Sequence, residues 1–498
     1  MTVTQVDVRK GAYHDSVTLL QVSRTMGETA GVEAAQVAMA TELNVEVLTG
    51  MGFDIPDTAG PNDLVVAVRA ADDEAVAAGV AAADAALTAT SRAPGGGFGD
   101  APPPRTTASA VRAGGAEIAM ISVPGRFATT EALDAIGAGA SVMLFSDNVS
   151  VEDEVLLKDA AAAADVLVMG PDCGTAVIGG VALGFANVVD AGPIGMVAAS
   201  GTGAQQIMCL LDAAGVGISH CLGVGGRDLK SAVGGRSTRQ ALAALAADDA
   251  TTSIVVVSKP PDEEVLADLE SYAGGLGLPV HWATLGAGRP DLTSALEAVL
   301  RAEGRDVPGW PKWLSDNDPE PGSVSGSLRG LFCGGTLADE AMLLAAEELG
   351  DIRSNIPLRD DLALGSDLRS DGHVVIDFGD DGLTQGRAHP MIDPTLRMER
   401  ISAEAADPTC GVLLLDLVLG YGAHQDPAGE LADAIRAAKD TARADGRELP
   451  VVVSLTGTEG DPQGLTRTAL TLAAAGASVF LSNRDATRHA LSFLGGDR

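Results

Sequence analysis

The chain has 498 residues, 46% hydrophobic and 20% charged, enough apolar material for three or four folded domains. Its formal net charge of -35 excludes nucleic acid as a partner, because a polyanion needs a basic footprint. The five cysteines are scattered without a C-x-x-C pair, no histidine pair has metal-ligand spacing, and no apolar run reaches membrane-spanning length. The expectation is a reduced, cytoplasmic chain with no membrane partner and no metal.

In chain order, residues 1–90 carry strand patterns near Val3–Val8, Ala35–Met39 and Leu64–Val68 with helical stretches between them, which predicts a small ferredoxin-like α/β domain. A Pro/Gly segment at 91–105, SRAPGGGFGDAPPPR, reads as a linker. Residues 106–190 hold IAMISVP (118–124), SVMLFS (141–146) and VLVMGPDC (166–173), apolar runs of the buried parallel type. Residues 191–305 repeat the rhythm with IGMVAAS, ISHCLGVGG, SIVVVSKPP and LPVHWATLG. A second linker at 306–327 contains two of the three tryptophans, so part of it should dock on a neighbour. Residues 328–498 add LRGLFCGG, HVVIDFGDD, GVLLLDLVLG, PVVVSLTG and ASVFLSN. The class is α/β, with open doubly wound sheets whose ligands belong outside the strand C-termini.

Two strand–turn–helix junctions carry the chemistry. One runs through Ser200, Gly201, Thr202 and Gly203, the other through Gly334, Gly335 and Thr336. Small residues there leave backbone N–H groups uncovered at a positive helix end, which suits phosphate or another small anion. A bulky residue at Gly201 is expected to abolish anion binding. Neither junction is a P-loop, since the lysine of that motif is missing. Lys259 is one of only six lysines and ends a buried strand, where an ammonium can meet a carboxylate or a phosphoryl oxygen. His389 and His424 fall in Gly/Pro/Asp loops after C-terminal strands and are the histidines placed to move a proton. His14, His220, His373 and His489 read as structural.

GPDCGTAVIGG (170–180), GPIGMVAASGTGAQQ (192–206) and CLGVGGRDL (221–229) resemble the α-subunit of succinyl-CoA synthetase. LFCGGTLADEA (331–341) and the closing PVVVSLTG…AGASVFLSNRDATRHAL resemble the C-terminal ligase domain of the β-subunit. VSKPPDEE, GRAHPMID, LGYGAHQDP and GTEGDPQG are similar to the FdrA branch of that superfamily. The resemblance implies a CoA-binding Rossmann-like domain at 106–190, a flavodoxin-like α-subunit ligase domain at 191–305 and a flavodoxin-like β-subunit domain at 328–498. It implies two junctions facing one another across one anion. It also makes Pro124 and Phe127, in VPGRF, candidates to touch the nucleotide end of CoA.

The chain departs from those relatives in three respects. The segment LGAGRPDLTSALEA (285–298) has no phosphohistidine, and His281 lies inside the preceding strand. Lys259 stands where a carboxylate accompanies the phosphohistidine, so the pocket is expected to be more positive. No ATP-grasp domain is present. The resemblance therefore implies an FdrA-like subunit that transfers a carbamoyl or acyl group with phosphate as co-substrate, like an oxamate carbamoyltransferase of allantoin breakdown, without a phosphohistidine. Small anionic substrates, partner subunits and a homo-oligomer go with that reading. The alternatives are an ADP-forming acyl-CoA synthetase with its ATP-grasp subunit on another chain, and a non-catalytic scaffold with an anion pocket.

Overall fold

The structure is a computed structural model and describes residues 2–12, 14, 16–56, 58–91, 104–384 and 388–495. Most of the Pro/Gly segment at 91–105 and three residues before GRAHPMID's Ala388 thus lie outside the described residues. The chain divides into two compact units, Met1–Pro103 and Pro104–Arg498.

The first unit runs β1 (Val3–Arg9), α1 (Ser16–Gly27), β2 (Val32–Met39), α2 (Glu42–Gly50), β3 (Leu64–Ala70) and α3 (Asp73–Ser91). The sheet order is β1-β3-β2, and β3 is antiparallel to both neighbours. β3 reads LVVAVRA and is buried along almost its whole length because it takes the central place. Leu19, Met26, Val76 and Leu87 cover one face of the sheet, and Leu48 and Phe53 cover the other. Two parallel strands flanking an antiparallel third form the ferredoxin-like split βαβ unit, without a fourth strand among the described residues.

Among the described residues, the second unit contains three sheets. After α4 (Thr107–Gly114), β4 (Ile118–Ile121), α5 (Gly125–Gly137), β5 (Ser141–Leu144), α6 (Val151–Ala163) and β6 (Val168–Met169) make a small parallel Rossmann-like layer. Next come the hairpin β7 (Thr175–Ile178) and β8 (Val181–Gly184), then β9 (Ala191–Ala199), α7 (Gly201–Ala213), β10 (Ile218–Gly223) and α8 (Arg236–Ala246). β11 (Ser253–Ser258), α9 (Glu263–Ala273), β12 (Val280–Thr284) and α10 (Leu292–Ala302) complete this sheet, ordered β12-β11-β9-β10-β7-β8. The β7–β8 hairpin precedes residue 190 yet pairs with β10, so this sheet starts earlier in the chain than its composition indicates.

The 306–327 segment supplies β13 (Lys312–Trp313), an antiparallel edge strand on the last sheet. That sheet continues with β14 (Ser327–Phe332), α11 (Gly335–Leu349), β15 (Arg353–Ser354), β16 (Val374–Asp377), α12 (Asp381–Thr384) and α13 (Thr395–Ala406). It ends with β17 (Cys410–Val418), α14 (Pro427–Ala444), β18 (Val451–Thr456), α15 (Leu465–Ala474), β19 (Ser478–Phe480) and α16 (Asn483–Phe493), in the order β13-β19-β18-β17-β14-β16-β15. Apart from the two-residue β15 at the edge of the last sheet, the parallel strands of both large sheets follow the flavodoxin-like order, whose direction reverses beside the first strand.

One apolar core spans the two large sheets and the helices between them. α7 is buried on every side from Gly203 to Leu211, as a helix between two layers must be. Its two glutamines are satisfied across the layers, Gln205 by Asn187 and Gln206 by the Leu481 carbonyl and the Asn483 amide. Truncating Ile207 or Leu210 there would cost about 2–5 kcal/mol.

Candidate functional site

The reversal point of the second sheet lies between β9 and β11, where Ala199 pairs with Ser258. The residues that follow these partners are Ser200 and Lys259, so topology alone sets them side by side at the strand C-termini. Ser200 is the N-cap of α7, and its hydroxyl accepts the Gly203 amide at 2.9 Å. The same hydroxyl lies 2.6 Å from Thr336 Oγ1, in the first turn of α11. A Cβ on Gly334 would stand 2.8 Å from Thr202, and one on Gly203 would stand 3.0 Å from Thr336 Cγ2. The two junctions therefore meet directly, hydroxyl to hydroxyl.

Two helix N-termini in contact repel, since each carries about half a positive charge. Carboxylates offset this. At the reversal point of the third sheet, Asp416 accepts the amides of Cys333 and Gly334 at 2.8 and 2.9 Å, and Arg397 holds Asp416 at 2.7 Å. Part of the second junction is thus already filled by a protein carboxylate. The amides of Gly201, Thr202, Gly335 and Thr336 have no acceptor among the described residues.

Lys259 reaches this place. A Cβ on Gly335 would lie 2.7 Å from Lys259 Nζ and 2.6 Å from Asp377 Oδ2, so both groups press on the start of α11. Burial opposes the ammonium, but Asp339, Asp377, Asp172 and Asp380 outweigh it and hold its pKa above the ordinary lysine value. Burial pushes the Asp377 carboxyl up to about 7 against the pull of Lys259 and the Gly379 amide. Burial likewise raises Asp339 to about 6, against Lys259 and Lys230. Asp172 is reached by solvent, yet crowding by protein and then the Asp381 charge push its pKa upward. The expectation of a more positive pocket is thus corrected: Lys259 sits among carboxylic acids, and the cluster is near charge balance only while some of them stay protonated.

His389 joins the same cleft. Its Nδ1 accepts the Met391 amide at 3.2 Å, its ring lies against Phe185 at 5.5 Å, and its Nε2 would be 2.8 Å from a Cβ on Gly379. Burial, then Arg397, pushes its pKa down to about 4. The ring is therefore neutral at pH 7 with its proton on Nε2, which makes it a donor to an oxyanion and not a base. His424 is placed elsewhere: its Nδ1 accepts the Asp426 amide, its Nε2 lies 3.6 Å from Glu430, and its own amide bonds the Met391 carbonyl. It fastens the turn after β17. With Arg397, Met391 and Cys333 it lines a void of about 10 Å³, room for one water.

Pro124 caps α5 at the end of β4, and Phe127 is 52% exposed one turn on. A side chain at Gly125 would run into the Asp147 and Asn148 carbonyls, so this turn packs tightly on the loop after β5. Sequence reasoning missed Asp172, Asp339, Asp377 and Asp416. HVVIDFGDD does hold a signal for one of them, a carboxylate closing a fully apolar strand. Among the described residues, no His/Cys/Asp/Glu group is arranged to hold a metal, and no helix is long and apolar enough to cross a membrane.

Over 518 residues the chain is 37% identical to the uncharacterized protein YahF of Escherichia coli (strain K12), covering 98% of each chain. The chain belongs to the YahF family. The family description "AllF, heavy metal-associated domain" matches residues 1–103, and "CoA-ligase" matches residues 331–493. The C-terminal sheet is thus CoA-ligase-like. Residues 1–103 contain no cysteine and a single histidine, so the thiolate donors that soft metals require are missing from them. Subunit alpha 2 of the ADP-forming succinate–CoA ligase of Archaeoglobus fulgidus is 29% identical over 184 residues, 34% of this chain and 63% of that one. A dinucleotide-forming acetyl-coenzyme A synthetase of Ca. Korarchaeum cryptofilum, solved with phosphate and ADP, aligns at 14% identity with a TM-score of 0.28, covering 76% of this chain and 82% of that chain.

Proposed function

We propose that the chain is an FdrA-type subunit that transfers a carbamoyl or acyl group to phosphate in the cleft between α7 and α11. The observation that carries this is the convergence of two open helix starts, the Lys259 ammonium and a neutral His389 on one place. The free amides would hold the phosphate. Lys259 would pair with the carboxylate of the donor, and His389 Nε2–H would donate to the oxyanion as the carbonyl becomes tetrahedral. With an oxalurate-like donor, monohydrogen phosphate attacks the ureido carbon, the C–N bond breaks, and the phosphate's proton ends on the departing amide. The products are carbamoyl phosphate and oxamate, and no nucleotide is consumed. Partner subunits complete the enzyme in this reading.

The experiment is to incubate the chain with its partner subunits, oxalurate and phosphate, and to measure carbamoyl phosphate. Phosphate-dependent formation without ATP or CoA supports the proposal; no product, with intact ATP- and CoA-dependent phosphate release, replaces it by ADP-forming CoA ligation. That second reading is favoured by the CoA-ligase match at 331–493 and the α-subunit relative. Pro124 and Phe127 would then meet CoA, whose thiol accepts the acyl group. Against it stands the loop after β12, residues 285–291, which has no histidine, while His281 lies within β12 beside Glu303.

A further inference from the structure

We infer that Asp377 is the residue that exchanges a proton with the substrate in this cleft, an inference that rests on the transfer reading above. Asp377 ends β16 beside Phe332 of β14, at the same sheet edge as the second junction. Its main chain is pinned on both sides by Asn355, whose amide donates to the Asp377 carbonyl at 2.8 Å and whose oxygen accepts the Asp377 N–H at 2.9 Å. One carboxylate oxygen, Oδ1, accepts the Gly379 amide at 2.9 Å. Oδ2 has no partner among the described residues and points at Gly335, where only the missing side chain of a glycine leaves room. The residue is 3% exposed, yet Oδ2 is not fully enclosed, so a ligand or water in the cleft can reach it.

The titratable and charged groups around it are Lys259 after β11, Asp339 in α11, Asp416 in β17 with its Arg397 from α13, and the neutral His389 ring, whose Nε2 faces the same space at Gly379 as Asp377 Oδ1. Lys259 stabilises the carboxylate form, while burial, Asp416 and Asp339 stabilise the acid, and the balance falls at about 7. The alternatives are less well placed. His389 has its Nδ1 committed to Met391, and Asp339 lies inside α11 facing Lys259 and Lys230.

The step balances without a co-reactant. As the phosphate oxygen bonds to the donor carbon, the C–N bond breaks and its electron pair takes the proton from the Asp377 carboxyl. The carboxylate, favoured by the nearby Lys259 charge, then recovers a proton from the P–OH group. A carboxyl poised near neutrality is suited to both halves, since it must give and regain the proton at one pH.

The test uses the full chain. Difference infrared titration of the wild type should show a carboxyl band with a midpoint near neutral pH that is missing from Asp377→Asn. With partner subunits, Asp377→Asn should lower kcat by about 100-fold or more and remove the alkaline limb of the kcat profile, and Asp377→Glu should recover part of both. Phosphate binding should survive, because the variant removes a negative charge. A wild-type kcat and pH profile in Asp377→Asn, or no neutral carboxyl band assigned to Asp377, overturns the inference. Absence of phosphate-dependent transfer in the wild type sinks the transfer reading instead, and the infrared titration still decides whether Asp377 carries the proton.

Discussion

Ser200 Oγ and Thr336 Oγ1 lie 2.6 Å apart although 136 residues separate them in the chain. Each hydroxyl belongs to the first turn of a helix or its cap, so this contact brings two positive helix ends together. Such an arrangement is stable only with negative charge beside it. Asp416 supplies part of that charge through the Cys333 and Gly334 amides, and Asp377 stands next to Gly335. The remaining open amides are where an anionic substrate would complete the compensation.

An added Cβ is more crowded at Gly335 than at Gly201. A Cβ on Gly201 would meet its nearest neighbour, Thr175 Oγ1, at 3.6 Å, ordinary contact. A Cβ on Gly335 would displace Lys259 Nζ and Asp377 Oδ2, both tips of side chains, so the fold should survive. Gly335→Ala is expected to retain its thermal transition and lose about 10-fold or more in phosphate affinity, while Gly201→Ala changes little. Calorimetric phosphate titration of the two variants checks this; equal affinities would remove the cleft from consideration.

The legible parts of the site are those encoded in local pattern. Ser200–Gly203 and Gly334–Thr336 announce themselves as small residues between an apolar strand and a helix, and Lys259 as a rare lysine after SIVVV. Asp339 was not legible, because an acidic pair in LADEAM reads as the solvated face of α11, whereas in the fold it is buried near Lys259 and Lys230. The hairpin β7–β8 was overlooked although Gly179-Gly180, both at positive φ between two apolar runs, is a strong turn signal. Asp416 and Arg397 depend on strand order, which a βα rhythm does not reveal.

Lys158 tests what holds the Rossmann-like layer to the second sheet. Its fully buried ammonium contacts Glu154 and Asp228 at 2.7 Å and the Val224 carbonyl at 2.9 Å. Lys158→Met leaves the buried Asp228 without its cation and Glu154 with one fewer, and should cost about 3–5 kcal/mol. The lower end is expected, because Arg227 still binds Glu154 and Thr238 still binds Asp228. Urea denaturation followed in the second unit measures it; a loss under about 1 kcal/mol would mean the network contributes little.

Asp377 also predicts how stability depends on pH. Its folded pKa, about 7, lies above the ordinary value of 3.8, so the folded state holds its proton more tightly than the unfolded chain. Its contribution is fully present below about pH 4 and is lost as pH rises through about 7. Asp377→Asn should therefore stabilise the second unit more at pH 8 than at pH 5, by a difference on the order of 2 kcal/mol. Denaturation curves at the two pH values decide the sign; a variant that gains more at pH 5 contradicts the raised pKa.

Lys259 decides whether the cleft is anionic or balanced. Its ammonium faces the charges of Asp339, Asp377, Asp172 and Asp380 without a direct ion pair to any of them among the described residues. That leaves its charge free to meet a substrate carboxylate. In Lys259→Met the neighbouring acids lose their cation, take up protons at higher pH, and turn from a balanced pocket into a neutral or negative one. Truncating one partner of a desolvated charge pair costs on the order of 2–5 kcal/mol, so carboxylate-donor affinity should fall by roughly 30-fold or more. Lys259→Arg should restore only part, because the space in front of Gly335 fits a point charge and not a planar fork. The measurement is donor affinity with partner subunits present, at pH 6 and pH 8. The loss should be larger at pH 8, where the acids are ionised; a change under about two-fold at both values would mean that Lys259 does not meet the donor carboxylate.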